Sequence, residues 1–200
     1  MGDGEIHKPI KLEKLKVTYK GVFNMKNLYK FLHDWLEEEG FKADGAPSGG
    51  DMWETFYWER RTAQGFTDYN IWWRMKKSPD YQTSAWIEYK LNLDFLGIAI
   101  GKTDVMHEGK KISAYNGELN MTIIPKVVVD ENKLWNKDSL VGKFSKVFLN
   151  RTYKKEIKFH KDYMNDVAFR LQEAIKNFLG LSTFGDYGES FHPEKGFGWV

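Results

Sequence analysis

The chain has no cysteine among its 200 residues, which removes disulfides, thiolate nucleophiles and cysteine-bound zinc or iron–sulfur centres at one stroke. That composition fits a cytoplasmic protein. No apolar run approaches the eighteen residues of a membrane-spanning helix, and the opening MGDGEIHKPIKLEK has neither an apolar secretory core nor a cleavage signal, so the mature chain is expected to start near Met1. Charge of one sign is also scarce, because 30 basic and 28 acidic residues leave a net charge of +2. Any affinity for nucleic acid or membrane must therefore come from local clustering. The chemical signatures are missing too: the glycine-containing loop Gly45–Gly50 has no Gly-Lys-Ser/Thr ending and leads into a strand, and there is no Gly-x-Ser-x-Gly elbow and no paired-histidine metal motif. No catalytic residue, metal ligand or cofactor is assigned on these grounds.

What is abundant is aromatic side chain, 16% of the sequence with eight Trp, in a chain whose length suits one domain. Leu15 to Phe23 alternates apolar and polar positions like a half-buried strand. Asn24 is placed to cap a helix whose apolar residues Leu28, Phe31, Leu32, Trp35 and Leu36 share one face, with Gly40 as its stop. Lys26 and Lys30 lie near the positive end of that helix and Glu37 to Glu39 near its negative end, so packing must outweigh a small electrostatic cost. After a Gly-rich loop the period changes to two. Strands are predicted over Trp53–Arg61, Asp68–Lys76, Tyr81–Phe95, Ile98–His107, Lys111–Tyr115 and Leu119–Val129, a meander of about six with a break near Gly97. A short helix is expected over Ser139–Asn150, then a long amphipathic one presenting Met164, Val167, Ala168, Leu171, Ile175 and Phe178, closed by Gly180.

The fold class expected is α+β: a twisted antiparallel sheet wrapped around a long C-terminal helix, with one extra helix before it. Residues 1–14 form an N-terminal arm, 15–180 the core, and 181–200 an aromatic and Gly-rich tail, all within a single domain. This order of strand, helix, long meander and last helix resembles the helix-grip arrangement of the START-like and Bet v 1-like proteins over roughly residues 15 to 180. The resemblance implies an apolar cavity between sheet and last helix that holds a hydrophobic small molecule. It departs from that arrangement in having one helix between the first two strands and the extra helix at Ser139–Asn150.

Three functional expectations follow. The first is a non-catalytic binding protein whose pocket is lined by Tyr57, Trp73, Ile87, Tyr89, Leu91, Met121, Ile123, Met164, Val167 and Leu171. The second is an interaction module for RNA, the ribosome or another anionic surface. Strand parity sends Trp58, Trp72 and Trp86 outward beside Arg60 and Arg74, and residues 133–161 carry nine Lys and Arg, including Lys143, Lys146, Arg151, Lys154, Lys155 and Lys158, against Asp138 and Glu156. The third is a small hydrolase or isomerase using two of the carboxylates Glu54, Glu59, Glu88 and Asp94. His33 borders the first helix's apolar stripe, and Asp104 and His107 in DVMHEG have opposite strand parity, so neither builds a reactive centre alone.

Overall fold

The computed structural model describes residues 9–44, 52–79, 86–107, 110–129 and 154–181. Their order is β1 (Ile10–Lys11), β2 (Leu15–Phe23), α1 (Met25–Glu38), β3 (Lys42–Ala43), β4 (Glu54–Arg61), β5 (Thr67–Lys77), β6 (Ile87–His107), β7 (Lys110–Val129) and α2 (Lys154–Phe178). The seven strands form one antiparallel sheet with α1 and α2 on one face, an α+β architecture compatible with a helix-grip arrangement. The expected helix over Ser139–Asn150 and the tail lie outside the described residues.

The sheet has five lateral positions. β7, β6 and β5 are the inner strands; β1 and β2 share the outer edge of β7, and β3 and β4 share that of β5. Period-two alternation selects the covered face: Ile71, Trp73 and Met75 on β5, Tyr89, Leu91, Leu93 and Phe95 on β6, and Leu119, Met121 and Ile123 on β7 are all buried. Against them pack Leu28, Leu32 and Leu36 of α1 and Met164, Val167, Ala168, Leu171 and Ile175 of α2. Burying such side chains contributes roughly 1.5–3 kcal/mol each, so this face holds the layers together.

The first helix begins, and both helices end, as local chemistry requires. Asn24 accepts from the Asn27 amide at 3.1 Å at the start of α1, and Gly40 (φ 81°) and Gly180 (φ 70°) turn the chain out of the two helices in the left-handed region. The acidic end of α1 finds its cations in other elements. Lys77 of β5 donates to the Glu39 carbonyl at 2.8 Å, and Arg170 of α2 grips the Glu39 carboxylate with both terminal nitrogens.

The meander differs from the expected one at Gly97. No strand ends there; β6 and β7 run as one long hairpin interrupted by a bulge between Ile98 and Gly101, so the two short strands expected on either side of residue 117 are a single β7. Ala99 is pushed to φ 52°, its amide is taken by the Asp68 carboxylate at 2.9 Å, and Ile100 turns into the core over Gly117. A bulge absorbs the broken alternation without breaking the strand.

Candidate functional site

Nine of the ten residues expected to line a pocket under the last helix belong to one packed cluster. Trp73, Ile87, Tyr89, Leu91, Met121, Ile123, Met164, Val167 and Leu171 are each 3% exposed or less, and all interlock in the core. Tyr57 is the exception, with half its surface open to solvent. It stands on edge strand β4, where it overlooks a cleft between α1 and the end of the sheet.

That cleft encloses about 520 Å³ and is walled by Tyr29, Tyr57, Tyr69, Tyr115, Met25 and Ile71, with Lys26, Lys30, His33, Asp34 and Glu54 among its polar groups. A neighbouring depression shares Tyr29, His33, Glu54 and Tyr57 and adds Trp53 and Trp73. The wall is stiff. Tyr29 donates to Glu54 at 2.5 Å, accepts from the Trp73 indole at 2.8 Å, and meets the Trp73 ring edge-on at 4.5 Å. Burial first, then the Glu54 hydrogen bond, raises the Tyr29 hydroxyl far above the ordinary phenol range. His33 lies beside the Trp53 ring at 4.6 Å. Tyr29, Tyr69 and Tyr115 were not readable as a site from sequence, because the cleft is built by one face of α1 meeting three strands.

The face opposite α1 and α2 carries the outward aromatics. Trp58 and Trp72 are 42% and 38% exposed, and Phe56 beside them packs on Trp72 with 4.5 Å between ring centroids. Arg60 sits 5.7 Å from the Trp58 ring and Arg74 5.3 Å from that of Trp72, both within cation–π reach. Acids hold these arginines: Asp68 takes Arg60 at 2.8 Å, and Asp94 takes Arg74 at 2.6 Å. Trp86 is different, being a half-buried turn residue packed against the core.

On the same face, beyond Arg74, runs a feature that only strand register discloses. Lys42 faces Lys76, Lys76 faces Lys90, Lys90 faces Lys126, and Lys126 faces Lys11, so five lysines cross the sheet in one row from β3 to β1. At about 4.8 Å per strand the row spans roughly 19 Å. Asp44 reaches Lys90 at 3.0 Å and Lys76 at 3.8 Å, and Glu88 stands 4.0 Å from Lys76. Lys11, Lys42 and Lys126 have no ion-pair partner among the described residues. Burial, then the charges of Arg74 and Lys11, holds the Lys126 ammonium below the ordinary lysine range. Lys16 adds a further cation along β2, where Lys20 stands opposite Glu118. Like charges placed opposite one another destabilise a sheet, so five in register need a reason other than folding.

The expected basic segment is only partly in view. Lys154, Lys155 and Lys158 are exposed on the first turns of α2, in the helix layer and across the sheet from Trp58 and Trp72, while Lys143, Lys146 and Arg151 lie outside the described residues. Among the described residues no three His, Asp or Glu side chains gather to hold a metal, and no helix is long and apolar enough to cross a membrane. The four carboxylates considered for chemistry are dispersed: Glu54 in the cleft, Glu59 on the edge with Tyr57 and Arg61, and Glu88 and Asp94 on the face opposite α1 and α2. No protein-family model matches the chain, and no curated protein sequence matches it significantly.

Proposed function

We propose that the protein is a binding module that engages an anionic macromolecule through the face of its sheet opposite α1 and α2. The observation that carries this reading is the row Lys42–Lys76–Lys90–Lys126–Lys11, five ammonium groups in register with two carboxylates beside them. A linear polyanion would neutralise the row and release counterions, which gives a favourable and salt-dependent association. Exchanging Lys11, Lys42 and Lys126 together for Gln tests it on immobilised heparin. The variant should elute at markedly lower salt while its thermal midpoint stays the same or rises, because like-charge repulsion has been relieved. An unchanged elution point would refute the reading.

A second reading rests on a different place. The tyrosine-walled cleft of about 520 Å³ supports a small, largely apolar ligand with a hydrogen-bond donor for Glu54, in keeping with the resemblance to START-like proteins but under α1 instead of α2. Native mass spectrometry of freshly purified protein is the direct test. A retained mass of a few hundred daltons, lost on Tyr69→Ala, supports it, and bare chain mass with no quenching by fatty-acid or sterol probes counts against it.

A further inference from the structure

Polyanions differ in whether they carry planar groups, and the rings that share the face of the lysine row bear on that choice. Phe56, Trp58 and Trp72 each leave more than a third of their surface in water, although a sheet that only folds would cover or replace them. They are adjacent across β4 and β5: Phe56 pairs with Trp72, and Trp58 with Asn70 one step along. On β5 the outward residues run Lys76, Arg74, Trp72 and Asn70, each about 7 Å from the next. The run is cation, cation, ring and amide, so Trp72 lies two steps, about 14 Å, from the lysine row with Arg74 between them.

We infer that the macromolecule is a single-stranded nucleic acid whose phosphates cross the lysine row and whose next bases, past Arg74, stack on Phe56, Trp58 and Trp72. This rests on the polyanion reading above and names its ligand. Three properties of the surface favour a single strand. Its rings lie on an open antiparallel sheet, where unpaired bases have room to lie flat, whereas a duplex keeps its base faces stacked inside. The guanidinium groups over Trp58 and Trp72 supply planar, cationic partners at the margins of each stack. The polar groups around these rings are Asn70, Asn92, the arginine-bound carboxylates Asp68 and Asp94 and, one strand further on, Asn120 and Thr122, which together offer both donors and acceptors to base edges. Asn120 already accepts from Thr18 at 2.7 Å and donates to Glu118 at 2.9 Å, so its side chain is held in place.

The test is a fluorescence titration of the full chain with oligouridylate, a duplex RNA of the same length and inorganic polyphosphate, at low and high salt. Oligouridylate should quench Trp emission, and its log K should fall against log salt with a slope of about −0.7 per phosphate engaged. The double variant Trp58→Leu, Trp72→Leu should weaken oligouridylate about tenfold or more and leave polyphosphate unchanged. Trp72→Tyr keeps a ring and should retain most of the affinity, so a folding defect in the double variant cannot imitate the result. Polyphosphate or duplex bound as tightly as the single strand, with no loss in the Leu variants, overturns the nucleic-acid inference and leaves the polyanion reading standing. If none of the three binds, both fall.

Discussion

Tyr29 of α1 donates its hydroxyl hydrogen to Glu54 of β4 at 2.5 Å while accepting from the Trp73 indole at 2.8 Å. One phenol thus ties the first helix to the edge strand and to the centre of the sheet. Tyr29→Phe removes both bonds and leaves a buried indole donor unpaired, a loss of about 1–3 kcal/mol. Urea unfolding should report it as a lower midpoint with an unchanged slope. A variant as stable as the parent would mean that water replaces the hydroxyl without cost.

The β6–β7 bulge yields two substitutions of opposite sign. Ala99 holds φ 52°, a conformation that costs an L-residue roughly 1–2 kcal/mol and glycine much less, so Ala99→Gly should stabilise the fold or leave it level, since the freer unfolded chain offsets part of the gain. Gly117→Ala would bring a methyl to 2.6 Å from the Ile100 side chain and 2.9 Å from the Ala99 carbonyl. Overpacking of that kind costs about 1–3 kcal/mol. Thermal unfolding of the two variants in parallel separates strain at residue 99 from crowding at residue 117, and a harmless Gly117→Ala would show that the bulge can open.

Much of this architecture is legible in the residues. Leu15–Phe23 and the Asn24-to-Gly40 helix follow from alternation, a cap and a stop, and the opposite facing of Trp72 and Trp73 follows from parity alone. The bulge is not legible, because Gly97 and Gly101 flank a run whose parity breaks whether a strand ends or is merely offset. Nor is the lysine row. Lys11, Lys42, Lys76, Lys90 and Lys126 are far apart in sequence, and two of them lie on two-residue strands too short to show a period. Register is a property of pairs, and one strand read alone does not contain it.

Glu39 receives Arg170 from α2 on its side chain and Lys77 from β5 on its carbonyl, which resolves the unfavourable charge order within α1. Lys77 also donates to the Tyr163 hydroxyl at 3.0 Å. Lys77→Met should cost about 0.3–1 kcal/mol through the lost helix-end cation, with salt weakening the effect. Arg170→Met, at a half-exposed pair, should cost about 0.2–1 kcal/mol. Chemical denaturation of the single and double variants forms a cycle. Because both cations act on one residue, the double loss should differ from the sum of the singles, and strict additivity would show that the two contacts work independently.

His160 is a buried titratable group, 1% exposed and facing Tyr89, whose hydroxyl shares a 2.5 Å hydrogen bond with Nδ1. Either direction of that bond leaves Nε2 without a partner. Burial lowers the imidazole from its ordinary 6.5, opposed in part by Glu156 one turn earlier. The unfolded chain therefore takes up a proton as pH falls through about 6.5, while the folded chain resists until the pH is lower. Stability from this residue is complete above that value and declines below it, by at most about 1.4 kcal/mol per pH unit, until the folded imidazole also protonates. His160→Phe keeps an aromatic ring but cannot titrate, so its denaturant midpoint should lose this component of the acid slope even if it starts lower. An identical slope in parent and variant between pH 6.5 and the onset of carboxylate protonation would assign the acid sensitivity elsewhere.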